Sequence, residues 1–335
     1  MLQELPGVVI QGTGRFLPEH VVDNKAIEKI INTSDEFIVK RTGVLERRHA
    51  DADQSLTDLI VPAARKAIAD AGLEAQDIDL LICNTLSPDY HDPSQACLIQ
   101  PLLGLRHVPA FDIRAQCSGL LYAIDIARQY IQTGRARHAL VVCAEMLSKR
   151  MDVSDAGRNL SILLGDGAGA VVLSRETDHA KGLVDVALGA DGEYFELLHT
   201  RSPGTRNAQF MSEEDVSAGH HQFRMQGRPM FEHATASLIA VAKQILDRNG
   251  LTLDDIDLIV PHQPNLRILD AVRDGLQVPE EKLMINVDRL GNMASASLPI
   301  ALDMAREAGR MRDNQLNMIL GYGAGATWGA ALYRS

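Results

Sequence analysis

The chain has 335 residues, 46% of them apolar, which is enough for one large domain or two ordinary ones around a sizeable core. Its formal charge of −11 excludes a broad nucleic-acid surface, because phosphate binding needs clustered Lys and Arg. No apolar run is long enough to span a bilayer, and the opening residues lack a basic stretch leading into a long apolar one, so a cytoplasmic enzyme with no membrane partner is expected.

In chain order, Gly7–Gly14 is an aliphatic first strand. A helical pattern then ends at Gly72 and is followed by the strand-like run Asp79–Cys83. The four cysteines, at 83, 97, 117 and 143, form no C-x-x-C pair and read as free thiols rather than as a disulfide framework or zinc site. Cys83, Cys97 and Cys143 suit buried core positions in a strand, a helix and a strand.

Cys117 differs, because it lies where a short strand from Phe111 gives way to a Ser-Gly turn and a helical pattern. A helix N-terminus offers free N–H groups and the positive end of the helix dipole, which favour a reactive thiolate. The alternative is one more small core residue. Gly165-Asp-Gly-Ala-Gly169 and Gly12-Thr-Gly14 suggest dinucleotide fingerprints. The first leads into a strand and the second lacks a third glycine, so no nucleotide site is expected.

A hinge is expected near residues 175–181, and the Gly- and charge-rich region 190–227 reads as loops over a site entrance. His262 follows the strand Asp257–Pro261, at an edge where α/β sheets place ligands. Asn292 lies in Gly291-Asn-Met-Ala-Ser-Ala-Ser297; alone it reads equally as a turn former or helix cap. The run Gly321–Ala330 can present bare N–H groups to an oxyanion, or can be a tight turn between strands.

The chain repeats itself. Gly72–Ile82 matches Gly250–Val260 at a shift of 178 residues, and the same shift lays Ala123, Asp125, Ala127 and Arg128 over Ala301, Asp303, Ala305 and Arg306. It places Leu140–Cys143 over Met318–Gly321 and Cys117 over Ser295. Gly7–Gly14 resembles Gly182–Gly189 at a slightly different shift. Two α/β halves, residues 1–175 and 182–335, are therefore expected to pack as five alternating helix and sheet layers. Cys117 and Asn292 should face each other across the pseudo-twofold.

Taken together, Thr33–Gly43, the Cys117 turn, Gly165–Gly169, His262-Gln-Pro-Asn-Leu-Arg267, Gly291-Asn292 and Thr327-Trp-Gly329 resemble, in order, the β-ketoacyl-acyl-carrier-protein synthase III family of the thiolase superfamily. Within it, Asp92–Gly104 and Asn292–Ser297 look closest to enzymes of alkylquinolone signal biosynthesis, which condense anthraniloyl and malonyl thioesters. The resemblance implies a thiolase-like duplicated αβαβα fold and a homodimer in which segment 84–104 reaches a neighbouring site. It implies decarboxylative condensation: Cys117 takes the acyl group from acyl-CoA, while the N–H groups of Cys117 and Ala324 hold the oxyanion. His262 and Asn292 then stabilise the enolate formed from malonyl-CoA or malonyl acyl-carrier protein.

The resemblance further implies that Phe37 stacks on the CoA adenine. Arg41, Arg228 and Arg267 lie along the phosphopantetheine path, with Arg158 near the adenine, and Asn265 holds His262. No metal or redox cofactor is implied. Three departures bear on substrate. Ala156 replaces a family arginine, Glu232 and Asp274 stand where basic residues dock a carrier protein, and Ala326 replaces a bulky aromatic, leaving room near Cys117.

The alternative within the class is an acetyl-CoA-primed initiator of fatty-acid synthesis. A non-catalytic partner subunit would not need all three catalytic groups. A degradative thiolase needs a second active-site cysteine, and none follows Cys143.

Overall fold

Aliphatic runs build the two large sheets of the computed structural model, which describes residues 5–178 and 180–335. Residues 1–4, at the start of the expected first half, and His179, in the expected hinge, lie outside the described residues.

The first sheet contains β1 (Gly7–Phe16), β2 (Leu80–Asn84), β3 (Ala110–Ile113), β4 (His138–Met146) and β5 (Asp166–Glu176), in the order β1-β5-β4-β2-β3. The second contains β6 (Gly182–Ala190), β7 (Leu258–Pro261), β8 (Leu316–Gly323) and β9 (Thr327–Arg334), in the order β7-β8-β9-β6. Strand β2 runs parallel to both β3 and β4, and β7 runs parallel to β8. Where the first sheet has β3, the second has only a single bridge, Ile259 to Leu283.

Among the described residues, the longer helices are α1 (Asp35–Thr42), α2 (Leu56–Asp70), α3 (Gln95–Leu102), α4 (Gly119–Gln132), α5 (Gly227–Asn249), α6 (Leu266–Leu276) and α7 (Ser297–Glu307). Helices α4 and α7 form the central layer, where Leu120, Ile124, Leu298 and Leu302 pack with Ile82, Val141, Val260 and Ile319 from both sheets. Leu59, Ile60 and Ile99 of α2 and α3 cover the outer face of the first sheet. Leu238, Ile245 and Leu269 of α5 and α6 cover that of the second. This is the thiolase-like five-layer arrangement.

The repeat is visible residue by residue. Gly72 and Gly250 both take left-handed φ, 67° and 64°, and each precedes a 3-10 turn, at Ala75–Asp77 and Leu253–Asp255. That conformation is cheap only for glycine, which lets each outer helix stop there and the chain turn back into its sheet.

Two expectations need correction. Region 190–227 is more ordered than a set of loops: it carries a 3-10 segment, Gly192–Leu197, a ribbon pairing Leu198–His199 with Arg224–Met225, and a short helix, Glu213–Ser217. Cys97 is exposed on α3, whereas Cys83 and Cys143 are buried in β2 and β4.

Candidate active site

Between β3 and α4 the chain makes a sharp turn. Gln116 takes a left-handed φ of 51°, and a single 3-10 turn, Gln116–Ser118, precedes the α-helix, so Cys117 sits just ahead of α4 rather than on its first turn. The turn is braced by Asn84 at the end of β2, whose amide donates to Gln116 O at 3.0 Å and accepts from Ala115 N at 3.2 Å. Gly119 is required here because a Cβ would lie 2.1 Å from the Asn84 side chain. The second half copies the turn: Ala294 has a φ of 41°, and Ala294–Ala296 form a 3-10 turn ahead of α7.

Cys117, His262 and Asn292 line one cavity of about 570 Å³, with exposed Arg41, Arg228 and Arg267 toward its outer end. Leu160, Ile162, Leu163, Phe231 and Leu238 give it an apolar wall, and Leu198 and Met225 of the ribbon also reach it. His262 is held through its backbone, which donates to Leu320 O at 2.7 Å, while its buried Nδ1 has no partner. Asn292 Oδ1 accepts from Ala294 N at 2.8 Å, which turns the amide so that its NH₂ remains to donate.

Burial governs the charge states. It pushes the Cys117 thiol up to about 12, with the nearby Glu145 carboxylate adding to the rise. It also holds the His262 imidazole down at about 3. Neutral thiol and neutral imidazole are therefore the resting pair, which corrects the expectation of a helix-stabilised thiolate: here desolvation outweighs the backbone N–H groups.

Several anticipated contacts are placed differently. Asn265 lines the cavity, but its Oδ1 caps α6 by accepting from Ile268 N at 3.0 Å, and no hydrogen bond joins it to His262. Phe37 and Arg158 are not among the cavity-lining residues. The Arg158 guanidinium lies 5.0 Å from the Phe37 ring centre, with that of Arg41 at 5.9 Å. Ala324 lies in the turn between β8 and β9. A Cβ on the preceding Gly323 would be 2.8 Å from Cys117 N, so glycine there lets this turn close on the thiol's backbone. Ala326 is buried in the C-terminal core and does not line the cavity. Glu232 pairs with Arg228 at 2.8 Å and Asp274 with Arg273 at 3.0 Å, so neither presents an isolated negative charge.

Three further groups belong to this region and escaped the sequence reading. Asn84 braces the Cys117 turn. Tyr322 lines the cavity, and its hydroxyl pairs with His233 Nδ1 at 2.8 Å. Glu145, at the end of β4, is fully buried behind the two turns. Its only mark in the sequence is a carboxylate closing an aliphatic strand.

Comparison with known proteins bears on this arrangement. The 3-oxoacyl-[acyl-carrier-protein] synthase III family matches residues 111–192, and its C-terminal counterpart matches residues 246–335. A β-ketoacyl-[acyl-carrier-protein] synthase III of Caldanaerobacter subterraneus subsp. tengcongensis is 40% identical over 325 residues, 97% of each chain. The crystal structure of 3-oxoacyl-[acyl-carrier-protein] synthase III from Aquifex aeolicus superposes with a TM-score of 0.90 at 39% identity, covering 98% of this chain and all of that one. A priming β-ketosynthase of a polyketide biosynthetic pathway superposes with a TM-score of 0.90 at 33% identity, covering 100% of this chain and 98% of the other.

Proposed function

Because the chain belongs to the 3-oxoacyl-[acyl-carrier-protein] synthase III family, and is thus a condensing acyltransferase, we propose that Cys117, His262 and Asn292 are its catalytic groups and that its acyl donor is larger than acetyl. The observation that carries the assignment is their convergence in one cavity, with the Asn292 NH₂ left to donate.

The Cys117 sulfur attacks the carbonyl of acyl-CoA. The Cys117 and Ala324 N–H groups take the oxyanion, and the CoA thiol leaves with the cysteine proton. Malonyl thioester then enters. His262 and Asn292 donate to its thioester oxygen, the bond to the carboxylate breaks with loss of carbon dioxide, and the carbanion attacks the acyl carbon. A new carbon–carbon bond forms as the Cys117 sulfur leaves as a thiolate, which takes a proton from solvent. A neutral imidazole suits this step, because it can donate a hydrogen bond without carrying a charge that would favour the intact carboxylate. Arg41, Arg228 and Arg267 offer cations to the phosphates of CoA or of a carrier's phosphopantetheine, and Phe37 with Arg158 offers a surface for the adenine.

The larger donor is supported by the apolar surroundings of Cys117, where Leu147, Leu164 and Ala294 are joined by Leu86, Met151 and Phe223. An aromatic acyl group, as in a 2-aminobenzoylacetyl-CoA synthase of alkylquinolone biosynthesis, is the reading we favour. An acetyl-primed fatty-acid initiator is the second reading, favoured by the synthase III relatives. Intact-mass measurement of acyl transfer from acetyl-, octanoyl-, benzoyl- and anthraniloyl-CoA separates them, followed by product analysis with malonyl-CoA and malonyl carrier protein. Preferential loading of acetyl would overturn the larger-donor reading. A homodimer is part of this proposal, supported by the exposed Tyr90 and Leu102 in segment 84–104. Light scattering showing only monomer would refute it.

A further inference from the structure

Glu145 is a costly residue to bury. Its carboxylate accepts from Ser295 Oγ at 2.5 Å, Ser87 Oγ at 2.7 Å and Leu86 N at 3.3 Å. The charged group that bears on it is Arg150, which supports its negative charge from a distance; the titratable thiols of Cys117, Cys143 and Cys83 also face it, all held protonated and neutral by burial. Its ordinary carboxyl range is abandoned: burial raises it to about 7.

These hydrogen bonds join the two turns that carry the reactive groups. The Ser295 hydroxyl, whose single proton goes to the nearer Glu145, also lies 3.2 Å from Asn84 O, and Asn84 braces the Cys117 turn through Ala115 and Gln116. On the other side Ser295 belongs to the turn in which Ala294 N orients Asn292 and Met293 N donates to Ser297 Oγ at 3.0 Å. Both turns contain a non-glycine residue with positive φ, a conformation that persists only when the surroundings over-determine it.

We infer that Glu145 is a positioning residue for the malonyl step: acting through Ser295, it fixes the Asn292 turn at the distance from Cys117 that decarboxylation and condensation require. The inference rests on the assignment of Asn292 made above. Loading Cys117 needs the thiol and the two backbone N–H groups, and the Cys117 turn is held by the Asn84 side-chain amide, which bonds Ala115 N and Gln116 O rather than Glu145 or Ser295. Loosening the clasp should therefore affect the second half-reaction selectively.

The test uses the full-length protein in single turnover, with acyl loading followed by intact mass and decarboxylation by carbon dioxide released from malonyl-CoA. Ser295→Ala removes the link while keeping the carboxylate. It is expected to slow decarboxylation about tenfold to a hundredfold, as a misplacement of catalytic groups does, and to leave loading nearly unchanged. Glu145→Gln keeps an oxygen for Ser295 and should restore most of the rate lost in Glu145→Ala. It should also abolish any inflection near neutral pH in the decarboxylation rate.

Ser295→Ala with both half-reactions unchanged, or both slowed equally, would overturn the inference even if Glu145→Ala fails to fold. Asn292→Ala run alongside separates the two levels. If it too leaves decarboxylation intact, the assignment of Asn292 is wrong; if it slows decarboxylation and Ser295→Ala does not, only the role of Glu145 is.

Discussion

Cys117 and Ser295 occupy the same position in the two halves, 178 residues apart, yet only Cys117 lines the cavity, while the Ser295 hydroxyl turns inward onto Glu145. The pseudo-twofold thus gives the enzyme two similar turns with different tasks. One presents a nucleophile and the other anchors the strip of chain that presents Asn292.

Cys117→Ser is expected to acquire no acyl mass from the best CoA donor, because the buried His262 imidazole, held down at about 3, is too weak a base to activate a serine hydroxyl. In the free wild-type enzyme, alkylation of Cys117 by iodoacetamide should be slow at pH 7. With the thiol pushed up to about 12, its rate should climb by about tenfold per pH unit up to pH 10 without levelling off. Peptide mapping is needed to separate it from the exposed Cys97. A plateau reached by pH 8 would show that the thiol ionises far lower than burial implies.

Asn292→Ala should lose about a hundred- to a thousand-fold in carbon dioxide release and still accumulate acylated Cys117, since removing one donor from an oxyanion site has an effect of that size. His262→Ala should also release carbon dioxide slowly. Single-turnover kinetics decide the matter, and an Asn292→Ala enzyme that loads poorly but decarboxylates at the wild-type rate contradicts the division of labour.

The pH dependence of stability carries the mark of Glu145. Its folded pKa, about 7, lies above its ordinary value of 4.5. The carboxyl therefore contributes stability that is complete below about pH 4.5 and is lost as pH rises through 7. Relative to wild type, Glu145→Gln should gain stability between pH 5 and pH 8, by at most about 3 kcal/mol. Urea unfolding at the two pH values measures this, and a variant that gains nothing at pH 8 would show that the carboxylate is compensated when charged.

Gly169→Ala should destabilise the protein by about 1–3 kcal/mol. A Cβ there would lie 2.7 Å from Pro299 Cγ and 2.9 Å from Ile300 N, so β5 and α7 would have to separate. Thermal unfolding provides the measurement, and an unchanged midpoint would show that α7 can yield at no cost.

The sequence by itself determined the repeat, the α/β layering and the cysteine at the strand-to-helix turn. These follow from local pattern: aliphatic runs fix central strands, and glycines at Gly72 and Gly250 end outer helices whatever surrounds them. Only the tertiary structure decided the electrostatics and the polar bracing of the site. Whether Cys117 rests as thiolate or thiol depends on how much water it loses, and burial reversed the expectation drawn from its place before a helix. Asn265 proved to be a helix cap rather than a support for His262, because a side-chain oxygen bonds the donor its own backbone brings within reach. Glu145 stayed hidden for a similar reason: a carboxylate at a strand end reads as a surface residue until Ser87 and Ser295, distant in sequence, are seen to converge on it.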